Sequence, residues 1–185
     1  MSLITGTPAP AFSTVDLFDQ PVSLESLRGA PVLLSFFRNA ACALCNLRVR
    51  QLIQRYPALR AQGLQVVVVF ESSADALRKY VGRQAAPFPI VPDPTAALYE
   101  LYKVESSDAK VATTMAMAAT AAVIREAADN GFELVAEEDA NFLRMPADIF
   151  IDADGVIRKA HYADFVWDHM PFETLEALLG IAVAA

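Results

Sequence analysis

Two apolar runs constrain this chain most. Val32-Leu33-Leu34-Ser35-Phe36-Phe37 and Leu64-Gln65-Val66-Val67-Val68-Val69-Phe70 show no alternation of apolar and polar residues. A strand with one wet face alternates, so each run reads as a strand buried on both faces of a parallel or mixed sheet. Helical patterning follows each of them. Leu47, Leu52, Ile53, Tyr56 and Leu59 mark a helix from about Ala43, which Pro57 is expected to kink or end. Ser72 or Ser73 can cap a second helix running to about Arg83. Strand, helix, strand in this order makes a βαβ unit and a parallel pair.

The remaining chain supplies a second half. Pro87–Asp93 is a short strand between prolines, and Thr95–Tyr102 a short helix. Ala147–Asp152 and Val156–Tyr162 read as two strands joined by an Asp154-Gly155 hairpin turn. Phe172–Leu179 is a terminal helix. Between the halves, residues 106–141 hold 11 alanines in 36 positions, and propensity predicts one helix over Ala109–Ala128. An acidic patch, Glu137, Glu138 and Asp139, follows it. The order is a βαβ half, an insert and a ββα half, within one α/β domain spanning residues 1–185.

Charge narrows the function. The 185 residues carry a net charge of −7, against which a phosphate-binding, nucleic-acid role is not expected. No apolar run reaches 18 residues, and the N-terminus has no basic start. The expectation is a cytoplasmic protein without a membrane segment. Yet residues 1–70 hold six arginines against three acids, while the remainder holds nine cations against nineteen acids. Arg38, Arg48 and Arg50 lie within five residues of a cysteine, as a solvated face or as a local field favouring an anion.

Cys42-Ala43-Leu44-Cys45 contains both cysteines of the chain, between a buried strand and the start of a helix. A thiol at a helix N-terminus meets unpaired N–H groups and the positive end of the dipole, which favour thiolate. Spacing i, i+3 brings the Cα atoms to roughly 5 Å, within disulfide range. Arg38 and Arg48 can add to thiolate stabilisation. The other readings are two buried thiols packing as small apolar groups, or a zinc site. Only His161 and His169 are available as further soft ligands, at a spacing that fits no common finger, so no metal is expected. In Arg144-Met145-Pro146 the proline precedes a buried strand. It is either a permitted first strand residue or a cis peptide that turns the Met145 backbone toward the sulfurs for pairing with a substrate chain. Asp148 is a buried proton relay or a solvated strand residue. His169 reads as a capping or surface residue.

Phe36-Phe37-Arg38, Cys42-Ala43-Leu44-Cys45-Asn46-Leu47 and Met145-Pro146-Ala147-Asp148-Ile149-Phe150-Ile151-Asp152 resemble the peroxiredoxin-like branch of the AhpC/TSA (alkyl hydroperoxide reductase / thiol-specific antioxidant) group. Ala9-Pro10-Ala11-Phe12 and Val22–Gly29 resemble its N-terminal extension. The resemblance implies a thioredoxin-like fold, thiol-dependent reduction of peroxides or disulfides, and a cis Met145–Pro146 bond. Set against the P-x-x-x-T/S-x-x-C loop of peroxiredoxins, Cys45 takes the peroxidatic place, Cys42 replaces the hydroxyl residue and Arg38 replaces the proline. Arg144 stands near, but not at, the family's arginine position. The leading expectation is an oxidoreductase in which Cys42 and Cys45 cycle between dithiol and disulfide. Cys42 attacks in disulfide exchange, and Arg38, Met145, Pro146 and Arg144 bind or activate the substrate. The reductant is a thioredoxin-like protein or a small thiol, and no cofactor is needed. The competing class is a redox-silent binding module. Residues 106–141 form a lid over the cysteines, a homodimer surface or a helix packed on the fold.

Overall fold

Strand β3 (Val32–Phe36) is buried along its whole length because it has a strand on each side and helices or loops over both faces. In this computed structural model, which describes residues 2–135 and 140–180, β3 pairs in parallel with β4 (Gln65–Phe70) and antiparallel with β6 (Ala147–Ile151). Strand β5 (Ile90–Pro92) extends β4 in parallel, and β7 (Ile157–Tyr162) closes the other edge. The sheet order is β5-β4-β3-β6-β7. A separate hairpin of β1 (Ser13–Val15) and β2 (Pro21–Ser23) precedes it. The acidic patch at 137–139 lies outside the described residues.

Side chains of the central strands alternate between two cores, which is why their sequence does not alternate. Leu33, Val66, Val68, Phe70 and Phe150 face α1 (Ala43–Ala61), α2 (Ala74–Lys79) and α6 (Phe172–Leu178). Val32, Leu34, Phe36, Val67, Val69 and Ile149 face Phe12, Tyr99 and Tyr102, with Tyr99 on α3 (Ala97–Leu101). Each such burial is worth about 1.5–3 kcal/mol. Pro57 lies inside α1 without ending it; the helix continues to Ala61, with Leu52, Tyr56 and Leu59 held in the core on either side of the proline. At the β6–β7 turn Gly155 has φ +82, a region other residues avoid, and Asp152 Oδ1 accepts the Asp154 and Val156 N–H groups.

The alanine-rich segment forms two helices where one was expected. Helix α4 (Asp108–Ala116) and α5 (Ala118–Asp129) meet at Met117, whose backbone is extended. The break has a polar cause. Thr114 Oγ1 donates to the Lys110 carbonyl, and the freed Thr114 carbonyl accepts from Met117 N and from Thr120 Oγ1. Trp167 Nε1 and Val166 N bond the same two hydroxyls, so the break is anchored to the 166–167 loop. Helix α5 packs against α1, with Ala127 buried and Gln51 Nε2 3.2 Å from Glu126 Oε1. Among the described residues no helix is long and apolar enough to cross a membrane.

Candidate active site

The loop between β3 and α1 is tied down residue by residue. Phe37 N–H donates to the Val69 carbonyl, extending the sheet by one bond. The Tyr99 hydroxyl lies 2.7 Å from the Phe37 carbonyl. Ala40 N–H donates to Ser72 Oγ, and Cys42 N–H to the Asn39 carbonyl. The buried Asn46 amide donates to both the Ala40 and Cys42 carbonyls. Cys42 therefore enters α1 in one geometry, as its N-cap, with Sγ accepting from Cys45 N–H at 3.3 Å.

Arg38 completes the thiol's surroundings. Its Nη1 is 3.9 Å from Cys42 Sγ, Nε donates to the Arg144 carbonyl at 3.0 Å, and Nη2 donates to the Phe142 carbonyl. The two backbone acceptors hold the guanidinium in place without neutralising it. The Cys42 thiol is lowered to about 6, first by the hydrogen bond from the Cys45 thiol, against burial, and further by Arg38 and the Cys45 N–H. Cys45 is pushed the other way by burial and by the Cys42 anion beside it. Exposure follows the same division: 7% for Cys42 and 1% for Cys45. Both sulfurs are buried, Cys42 less completely, and Cys42 is the one whose surroundings favour the thiolate while those of Cys45 favour the thiol.

The sequence-predicted partners separate into groups. Arg144 turns away from the thiols: Nε bonds Glu71 Oε2 at 2.5 Å, Nη1 donates to the Val104 carbonyl, and the guanidinium lies 4.7 Å over the Tyr99 ring. It reaches the site through its carbonyl. Arg48 also leaves the cysteines. It donates to the Met170 carbonyl at 2.6 Å and lies 3.9 Å over the Phe172 ring. Met145–Pro146 is trans, not cis as expected. The edge expected to pair with substrate is also already occupied. Met145 N–H donates to the Glu105 carbonyl, Arg144 pairs with Ser106, and Ser107 N–H donates to the Leu143 carbonyl. The chain entering α4 thus takes the backbone groups that an incoming substrate strand was expected to use. Pro146 simply leads into β6, its carbonyl accepting from Ala163 N–H.

Sequence reasoning missed Glu71, Ser72 and Asn46. Glu71 and Ser72 directly follow the β4 run, the one signal that could have found them. Asp148, by sequence either a buried proton relay or a solvated strand residue, and His169, expected as a capping or surface residue, form a buried cluster. Asp148 Oδ2 accepts Met170 N–H at 2.6 Å and lies 3.1 Å from His169 Nδ1, while Ser35 Oγ donates to Oδ1. The His169 ring packs 4.6 Å from the Phe37 ring. Burial disfavours the Asp148 anion, but His169, Arg48 and Ser35 outweigh it and hold the carboxyl well below the usual range. Among the described residues no three His, Cys, Asp or Glu side chains group as metal ligands.

The AhpC/TSA family model matches residues 5–160. The chain belongs to the AhpC/TSA family. This AhpC/TSA member is 26% identical over 89 residues to the thiol-disulfide oxidoreductase ResA of Bacillus thuringiensis, a match covering 48% of this chain and 51% of that protein. The chain thus spans about half the length of the curated relatives it matches. Among solved structures it resembles peroxidoxin BcpB from Mycobacterium tuberculosis, with TM-score 0.69, 14% identity and coverage of 97% and 98% of the two chains. It also resembles the thioredoxin domain of a thiol-disulfide oxidoreductase from Bacteroides vulgatus, with TM-score 0.61, 20% identity and coverage of 96% and 99%. These likenesses establish the thioredoxin-like fold.

Alkylation of the reduced protein should follow this electrostatic division. Reactivity toward iodoacetamide is expected to rise with pH to a plateau, with a midpoint near 6, all on Cys42. In Cys45→Ala the midpoint should move up toward the ordinary thiol range, because the donor is gone. In Cys45→Ser, which keeps a donor, it should move less. Quenched alkylation with peptide mapping at each pH checks this.

Proposed function

We propose that this AhpC/TSA protein is a thiol-disulfide oxidoreductase in which Cys42 attacks and Cys45 resolves. The observation that carries this is the asymmetry of the pair: Cys42 Sγ, the less deeply buried sulfur, faces Arg38 and the α1 N-terminus, which favour its thiolate, while Cys45 is buried below it. The Cys42 thiolate attacks one sulfur of a disulfide; a new S–S bond forms, and the other sulfur leaves as thiolate. Cys42 then carries no charge, so its influence on Cys45 vanishes and Cys45 ionises more readily. Cys45 attacks Cys42 Sγ, releasing the second thiolate and leaving the Cys42–Cys45 disulfide. Two electrons have passed to the substrate, and an external thiol reductant returns them. A cytoplasmic location, where a thiol pool keeps the pair reduced, belongs to the same reading.

Peroxide is the weaker substrate in this account. Fast peroxide cleavage needs fixed donors around both oxygens as charge develops on the leaving one. Arg38 is one such donor, but Arg144 is spent on Glu71 and Val104, and Cys42 stands where the family's hydroxyl would be. The buried Cys45, in the peroxidatic place, has its thiol stabilised. Single-turnover oxidation of the reduced protein is expected to be at least as fast, per molar reagent, with a model disulfide as with hydrogen peroxide. Peroxide faster by tenfold or more would reassign the chemistry to peroxidase.

A further inference from the structure

A groove of about 720 Å³ opens beside the dithiol, and the chemistry above does not use it. Ala41 and Ala43, the neighbours of Cys42 on either side, are among its lining residues, though the cysteines themselves are not. Arg50 on α1, Lys79 at the end of α2 and Arg83 in the short 3-10 turn after it supply cations, and Glu133 the one carboxylate among the described lining residues. Ile53, Tyr80 and Phe132 give the groove an apolar side. Among the described residues none of the three cations is in an ion pair. The contrast with the whole chain matters: a protein of net charge −7 repels anions at long range, yet places three cations on a groove lined by both sequence neighbours of Cys42. The volume is far larger than a peroxide needs and is in the range that holds a small organic ligand.

We propose that this groove binds the substrate disulfide, and that the substrate is a low-molecular-weight disulfide bearing carboxylates. The proposal rests on the thiol-disulfide reading above. The carboxylates sit among Arg50, Lys79 and Arg83, the carbon chain lies against Ile53, Tyr80 and Phe132, and a sulfur reaches Cys42 past Ala41 and Ala43. The groove supplies binding and orientation; the sulfur exchange stays with the cysteines.

The test compares three small disulfides differing in charge: 3,3'-dithiodipropionate, 2-hydroxyethyl disulfide and cystamine. Each oxidises the reduced protein in a single turnover, and each rate is divided by that of the same disulfide with dithiothreitol. The dianion is expected to exceed the neutral disulfide by about tenfold at low salt, with the dication slowest, and the spread should shrink as salt is added. In the Lys79→Glu/Arg83→Glu double variant the order of dianion and dication should reverse, while the neutral disulfide stays within about twofold of wild type. Equal normalised rates for all three, or the same order in the double variant, overturn the groove assignment and leave the oxidoreductase reading standing. A parallel loss with the neutral disulfide overturns it also, since the residues would then act through folding or the thiols. Reaction with none of the three defeats the oxidoreductase reading itself, and the groove proposal with it.

Discussion

Cys42→Ser is expected to reduce disulfides at least about a thousandfold more slowly than wild type, with the fold intact. Serine keeps the size of the side chain and can still cap α1. It cannot present an anion near neutral pH, and the thiolate is the species that attacks. Cys45 cannot substitute. It is 1% exposed, and its thiol stays high because burial opposes its charge. Removing Cys42 lifts the influence of the neighbouring anion but leaves the desolvation, the larger cause. The measurement is stopped-flow oxidation by a small disulfide, with circular dichroism to establish folding. A folded Cys42→Ser variant retaining more than a tenth of the wild-type rate contradicts the assigned order.

Asp148→Ala should cost about 3–5 kcal/mol of stability, as expected when one member of a buried charged cluster is removed. The carboxylate is 1% exposed and accepts from Ser35 on β3, from Met170 N–H and from His169 Nδ1. It joins the middle of the sheet to the loop before α6. Alanine leaves those donors in a space water cannot readily fill, and removes an anion that favours the Arg48 charge. A chain of this size should lose roughly 10 °C in melting temperature. The sign of the pH dependence follows from the depressed carboxyl. The stabilisation is fully present above the unfolded pKa of about 3.9 and fades as pH falls toward the lower folded value. The gap between wild type and Asp148→Ala should therefore narrow below about pH 4. Chemical denaturation at pH 7 and at pH 3 checks both. A loss under about 1 kcal/mol at pH 7, or a gap that widens in acid, contradicts the role of the cluster.

What the sequence made legible was local. The β3 and β4 runs announced strands buried on both faces, and the cysteine spacing at the start of a helix announced the dithiol. Arg38 was legible because it lies four residues before Cys42 in a loop too short to carry it elsewhere. What escaped depended on pairings distant along the chain. Ser35 and Asp148 stand 113 positions apart and meet only through the β3–β6 register. The break at Met117 comes from Thr114 and Thr120 bonding each other, which overrides alanine-rich propensity. Met145 was misread because nothing local signals that residues 105–107 return to pair with 143–145. Arg48 is near Cys45 in sequence, but α1 carries it onto a different face, toward Met170 and Phe172.

The order of attack is tested most directly by trapping the mixed disulfide. Reduced Cys45→Ser, mixed with 2-hydroxyethyl disulfide and quenched in acid, should gain one mercaptoethanol equivalent by intact mass, and peptide mapping should place it on Cys42. Under the same conditions Cys42→Ser should gain none. An adduct on Cys45 in Cys42→Ser, formed as fast as the one on Cys42 or faster, would contradict the account and make Cys45 the attacking sulfur.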